Sequence, residues 1–306
     1  MRSELLPALE QLAKDAEVWY TTKEKTPGLS TGFDTLDYYT LGLQPGEVTI
    51  LAARPGIGKT SLAMQIATNI AQDLFVINDT TGENPGQVLY FSPEMSTWSL
   101  ALRMTCQWSG INSMDFRRGQ VTEEQMARWH NAREALKALD PHLRIRGGTS
   151  MDVVDVVATV QDAHRHGPPV AAVFIDYLTR LDYSGNNNTY VKATEVSRRL
   201  KNLSNELRIP IVALAQFGRP EKGKEDEPPT MFDLRDSGNI EQDADNVWIL
   251  HRSVKHRSTD SDSDGSTGAS LFLAKARNGD SEVEIVLGWK ATLTQYIDYG
   301  REEVAL

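Results

Sequence analysis

Leu5, Leu9, Leu12, Ala16 and Trp19 recur at intervals of 4, 3, 4 and 3 within residues 3–19, SELLPALEQLAKDAEVW. That spacing puts one apolar stripe along a helix, with Ser3 placed to cap it. The polar run TTKEKTPGLS, with Pro27-Gly28, then reads as a linker. The stripe needs burial on its own domain or on a neighbouring chain, and the pattern alone favours the former.

From about residue 30 the pattern changes to alternating strands and helices. Val48–Ala52 is a buried strand, followed by a helix from about Thr60 to Ala71. Further strands are expected at Val88–Ser92, Leu143–Arg146, Val170–Ile175, Ile211–Ala215, Val247–His251, Leu271–Ala274 and Val283–Leu287. Helical periodicity fills 97–108, 122–138, 151–166 and 190–207. Alternation of this kind predicts an α/β fold with a largely parallel sheet, and antiparallel hairpin additions from 247 onward. Polar stretches at 184–189, 219–229 and 255–270 read as mobile loops. No internal repeat is visible.

Composition narrows the class. The chain has 306 residues, 40% apolar and 24% charged, as in ordinary soluble domains. No apolar run is long enough to span a bilayer, and the N-terminus lacks a signal-peptide pattern. A single cysteine, Cys106, reads as a small core residue and fits a reducing cytoplasm. A net charge of −10 argues against a broad basic nucleic-acid surface but leaves room for a narrow basic track. His164 and His166 stand two apart at a helix end, where they do not share a face, so they read as dipole partners and not as a metal site.

Chemistry enters at Ala53-Arg54-Pro55-Gly56-Ile57-Gly58-Lys59-Thr60, a phosphate-binding loop with Ala at its first position. It follows a strand and opens a helix, so the amides of residues 54–61, through Ser61, face a nucleotide's phosphates. Lys59 reaches the β- and γ-phosphates, and the Thr60 hydroxyl is a Mg²⁺ ligand. The bland alternative is a glycine-rich connection. Asp176 ends the apolar strand 170–175, where a carboxylate needs a partner, either the Mg²⁺ shell or the amides of the next turn. Glu94 follows another strand, where it could activate water or simply favour a helix N-terminus. Gln216 ends a third strand, as a γ-phosphate sensor or a plain strand exit. Near the C-terminus, Lys275 and Arg277 in LAKARNGD point to one side of a strand end, with a surface salt bridge as the default reading.

Thr31-Gly-Phe-Asp-Thr-Leu-Asp37, GLQPGE at 42–47 and AARPGIGKT resemble the motor domain of the DnaB-family replicative helicases. FSPEM at 91–95, FIDYL at 174–178, ALAQFGR at 213–219, DLRDSGNIEQDAD at 233–245 and AKARNG at 274–279 follow in the family's order. The resemblance covers about 27–290. It implies a RecA-like domain over 27–306, preceded at 1–26 by a linker helix that docks on a neighbouring subunit. It also implies an ATP- and Mg²⁺-dependent ring, hexameric in the family, moving 5′-to-3′ on single-stranded or forked DNA in a bacterial or phage-infected cell. By the same resemblance Glu94 is the catalytic base, Asp176 the metal-side acid and Gln216 the sensor. Lys275 and Arg277 act on the adjacent subunit's ATP, and Arg219, Arg235, Asp236 and Gly238 face DNA.

The sequence departs from the family at Ala53 and at Pro93, which precedes Glu94. The family's N-terminal domain has no counterpart ahead of the helix at 3–19, which puts the usual route to primase in doubt; a primase or loader remains an expected partner. The 184–189 loop has no cation and few aromatics lie near 233–245, so contacts to DNA phosphates are expected over base stacking. Asp233, Asp236, Glu241, Asp243 and Asp245 around Arg235 also read as an acidic solvated turn. Two competing readings are a RecA-fold recombinase or signalling ATPase, and a nucleotide-gated loading factor without turnover.

Overall fold

The computed structural model describes residues 5–21, 27–148, 150–183, 189–218, 226–237, 240–253 and 266–300. In chain order these form α1 (Leu5–Thr21), α2 (Asp34–Thr40), β1 (Val48–Ala53), α3 (Lys59–Thr81), β2 (Gln87–Ser92), α4 (Thr97–Ser109), α5 (Ser113–Arg117) and α6 (Glu123–Ala138). Then come β3 (Leu143–Gly147), β4 (Met151–Asp152), α7 (Val153–His166), β5 (Val170–Ile175), β6 (Leu181–Asp182), α8 (Thr189–Leu207) and β7 (Ile211–Gln216). The chain closes with α9 (Ile240–Asp243), β8 (Asn246–His251), β9 (Thr267–Lys275), β10 (Val283–Lys290) and β11 (Gln295–Asp298).

Nine strands make one sheet in the order β11-β10-β9-β8-β1-β7-β5-β2-β3. Strand β1 is buried along its whole length, because helices cover both faces of the sheet. Its side chains alternate: Leu51 and Ala53 join a core with α3, Leu36 and Trp248, while Val48, Ile50 and Ala52 join a second core with α7 and α8.

The order corrects one expectation. β8 is not a hairpin addition; it runs parallel to β1, with Thr49 opposite Asn246 and Ala53 opposite Leu250. The chain between β7 and β8 returns to the starting edge, so β8 must run the same way. Only β9, β10 and β11 are antiparallel additions. β9 begins at Thr267, inside the stretch expected to be a loop, because Ala269 and Leu271 are buried against β8 and β10. Helix α3 outruns its expected end at Ala71 and stops only at Gly82, whose left-handed backbone caps it through Asn78. The expected loop residues 184–188, 219–225 and 255–265 lie outside the described residues.

The N-terminal stripe differs more sharply from expectation. Leu5, Leu9, Leu12 and Trp19 on α1 are all exposed, so the stripe is not buried on its own domain. No described helix is long and apolar enough to cross a membrane.

Candidate functional site

Four neighbouring parallel strands end along one edge of the sheet. Ala53 lies opposite Gln216, Ile175 opposite Ala213, and Phe91 opposite Ile175. The residues that follow these ends therefore converge, as ligand-binding residues do beyond the carboxyl ends of parallel strands. This register brings together the loop 54–58, Lys59 and Thr60 opening α3, Glu94 after β2, Asp176 after β5, and Gln216.

The loop is shaped partly from outside. Tyr296 donates its hydroxyl to the Ile57 carbonyl at 2.6 Å, and Arg252 donates Nη2 to the Gly56 carbonyl at 2.9 Å. In a trans peptide the carbonyl and the next amide point opposite ways, so the Tyr296 bond turns the Gly58 N–H away from the hairpin side. The Arg252 guanidinium lies 4.5 Å from the Trp289 ring centre, and Trp289 packs on Tyr296. Gly58 has φ 114°, and a Cβ there would come within 2.8 Å of the Tyr296 hydroxyl and 3.1 Å of Trp289. Only glycine fits both the backbone and the space. The sequence carried no sign of these supports, which lie on β10, on β11 and just past the end of β8.

Lys59 is only 8% exposed. Burial lowers its pKa, and the charges of Asp176 and Glu94 work against that shift. Asp176 is fully buried. Its amide donates to the Phe91 carbonyl at 2.8 Å, and its Oδ2 accepts a long 3.3 Å bond from Tyr90. Its Oδ1 is buried with no partner of good hydrogen-bond geometry, although Thr60 lies close enough to lower its pKa. Burial dominates and raises the Asp176 pKa; Thr60 and Lys59 oppose it, while the Glu94 carboxylate adds to it. Glu94 itself is exposed.

A sealed carboxylate oxygen without a partner, beside a hydroxyl, fits a hard cation such as Mg²⁺. Thr60 and Asp176 would hold it, with water and phosphate oxygens completing the shell. Among the described residues there is no cluster of three or more His, Cys, Asp or Glu that would make an all-protein metal site.

Lys275 and Arg277 stand at the other edge. Lys275 closes β9 opposite Val247, which is level with Ile50 of β1. β1 alone spans about 17 Å from Val48 to Ala53. Both cations donate into the segment before β8: Lys275 Nζ to the carbonyls of Glu241 at 2.9 Å and Ala244 at 2.6 Å, and Arg277 Nη1 to Asp245 Oδ1 at 2.9 Å. Asp245 is not a solvated turn residue; its side chain is 2% exposed. Its Oδ2 accepts from Lys201 Nζ at 2.6 Å and the Val48 amide at 2.8 Å. Burial alone would raise the Asp245 pKa, but bonds from Lys201, Val48 and Arg277 outweigh it and hold it below the usual value.

Arg235 and Asp236 lie on a 3₁₀ segment, Met231–Ser237, that packs against α9. Their side chains, and Gly238 and Arg219 entirely, lie outside the described residues. The same segment carries Phe232, 65% exposed, which the expectation of few aromatics there passed over.

The chain has clear relatives. The family described as DnaB-like helicase C terminal domain matches residues 28–298. The "Replicative DNA helicase DnaB" of Geobacillus stearothermophilus is 35% identical over 274 residues, which is 89% of this chain and 57% of that protein. The "Replicative DNA helicase DnaC" of Bacillus subtilis (strain 168) is 33% identical over 274 residues, with the same shares. The chain thus spans a little over half the length of the curated relatives it matches. Among solved structures, one ATPase domain superposes with a TM-score of 0.83 at 24% identity, covering 98% of this chain and 100% of that one. A DnaB-like replicative helicase, solved in work on its interactions with primase, gives 0.80 at 24% identity, with 98% of this chain and 68% of that one covered. These likenesses show the RecA-like fold, and the family match decides kinship. The chain belongs to the DnaB-like helicase C-terminal domain family.

Proposed function

We propose that this chain is the ATP-hydrolysing motor of a ring-forming replicative DNA helicase, acting on single-stranded and forked DNA in the cytoplasm. The observation that carries this reading is the division of labour between the two sheet edges. One edge gathers Lys59, Thr60, Glu94, Asp176 and Gln216, a complete set for phosphate chemistry. The other presents Arg277, 67% exposed, too far along β1 to serve the same chain's phosphate loop.

In this reading the amides of 54–61 and Lys59 hold the ATP phosphates. Thr60 and Asp176 would hold Mg²⁺, which when bound would supply neutralisation of the phosphate charge. Glu94, exposed at the mouth of the site, orients water and takes its proton. Gln216 stands beside Ala53 at the γ-phosphate end and senses its presence. Arg277 of a second copy, aided by Lys275, stabilises the charge that develops in the transition state. A ring, hexameric as in the family resemblance, follows from a site that needs a neighbour. The exposed stripe of α1 supports docking of that helix on an adjacent subunit. Arg219, Arg235, Asp236 and Gly238 track one DNA strand. A primase or loader partner is part of the same proposal.

The test is ATP hydrolysis with and without single-stranded DNA, alongside forked-DNA unwinding and mass measurement with ATP. Stimulated hydrolysis, strand separation and a ring mass are expected. Hydrolysis without any strand separation would favour a recombinase-type ATPase, and binding without hydrolysis would sink the motor reading.

A further inference from the structure

Asp245 has a role that neither its position in an acidic run nor the phosphate chemistry explains. Its two oxygens are engaged differently. Oδ2 is gripped by two buried or half-buried donors, the Val48 amide of β1 and Lys201 of α8. Lys201 is in turn tied to the Gly46 carbonyl at 3.0 Å. With Oδ2 fixed from both sides, the plane of the carboxylate is fixed, and so is the direction of Oδ1. That oxygen receives a single Nη1 of Arg277, while 67% of the Arg277 side chain stays open to solvent.

An arginine on a turn samples many rotamers, and holding it in one geometry costs entropy. Here one nitrogen is anchored and the rest of the fork faces outward. The turn is pinned at further points: Asn278 donates to Glu47, and Lys275 ties the end of β9 to the carbonyls of Glu241 and Ala244. Lys275 and Arg277 therefore hold the same short segment, 241–245. That segment includes the end of α9, which packs against the 3₁₀ segment bearing Arg235 and Asp236. Ile240 and Leu234, each 1% exposed, lie in the same core that covers this face of the sheet.

We infer that Asp245 is the positioning residue for Arg277, presenting it to a neighbouring subunit's ATP. The inference rests on reading Arg277 as acting in trans.

The experiment uses assembled full-length rings of Asp245→Asn and Asp245→Glu. The first removes the charge; the second keeps it for Lys201 but displaces the carboxylate. Both are expected to keep the KM for ATP within about twofold and to lose roughly 10²-fold in kcat, the scale of a misplaced catalytic group. Mixing either variant with Lys59→Ala subunits is the discriminating step. A Lys59→Ala subunit carries an intact Arg277 and places it beside the variant's intact phosphate loop, so activity is regained, which a subunit damaged in its own fold would not allow. Wild-type kcat in both variants, or a loss that Lys59→Ala subunits do not relieve, overturns the inference. If Arg277→Ala itself turns over normally, the trans reading falls as a whole; if Arg277→Ala is inactive and both Asp245 variants are not, only the positioning role falls.

Discussion

Asp176, which follows β5 on the phosphate side, and Asp245, which precedes β8 at the start of β1, are both buried and are treated in opposite ways. Asp176 is fully buried with one oxygen lacking a good partner, and its pKa is raised. Asp245 is nearly as buried but has both oxygens satisfied by Lys201, Val48 and Arg277, and its pKa is lowered. Burying a carboxylate without partners is unfavourable unless something else arrives to share it. The first site is therefore built for a ligand and the second for holding the chain's own cations. Under the proposed function, the same residue type at two edges of one sheet separates a place where chemistry happens from a place that delivers a group to chemistry elsewhere.

The largest effect that would break this division is catalytic. Arg277→Ala is expected to bind ATP normally while losing about 10³-fold or more of hydrolysis in the assembled ring. Lys59→Ala is expected to lose hydrolysis and unwinding together. Equilibrium nucleotide binding beside steady-state turnover separates the two. Equal loss of binding in both variants would erase the distinction between the edges.

Stability is the next test, with opposite signs. Asp245→Ala leaves Lys201 half-buried without its partner and is expected to cost about 3 kcal/mol in urea unfolding. The exposed Arg277 arm of the network adds little to that figure. Asp176→Asn removes a poorly satisfied buried charge and is expected to stabilise the Mg²⁺-free protein by about 1 kcal/mol while abolishing hydrolysis, a trade of activity for stability. Destabilisation by both changes would mean that Asp176 is held as firmly as Asp245.

The smallest effect is the pH dependence, and its sign follows from the two shifts. Asp245 titrates below its unfolded value, so its contribution is present above that value and fades as pH falls through its folded pKa. Asp176 titrates above the ordinary 3.8, so stability present below that value is lost as pH rises through its folded pKa. The gap between Asp176→Asn and wild type in Mg²⁺-free unfolding should be small in acid, widen as pH rises through that window, and then level off. A gap that is flat with pH would contradict the raised pKa.

Much of the phosphate edge was legible in the sequence because it is built from local signals. The strand Val170–Ile175 appears with its expected bounds, and the GKT of the loop opens α3 where a helix was expected. What was missed depends on contacts between distant parts of the chain. Tyr296 reaches Ile57 across 239 positions and Arg252 reaches Gly56 across 196, and no periodicity encodes either bond. Asp245 was hidden for another reason. It stands among other acids, with Asp233 exposed and Glu241 and Asp243 half-buried, and only the parallel placement of β8 beside β1 carries it into the interior. The α1 stripe was legible as a helix, but its surroundings were not, since an amphipathic pattern does not say which molecule covers it.

The most direct test of the account is ATP hydrolysis by mixed rings of Lys59→Ala and Arg277→Ala subunits in the presence of single-stranded DNA. Neither variant alone is expected to turn over. In the mixture, an Arg277→Ala subunit holds ATP on an intact phosphate loop and its Lys59→Ala neighbour supplies the arginine, so hydrolysis reappears. A mixture that assembles into rings yet stays silent, or Arg277→Ala rings that hydrolyse at the wild-type rate, would contradict the claim that the two edges of the sheet meet across a subunit boundary.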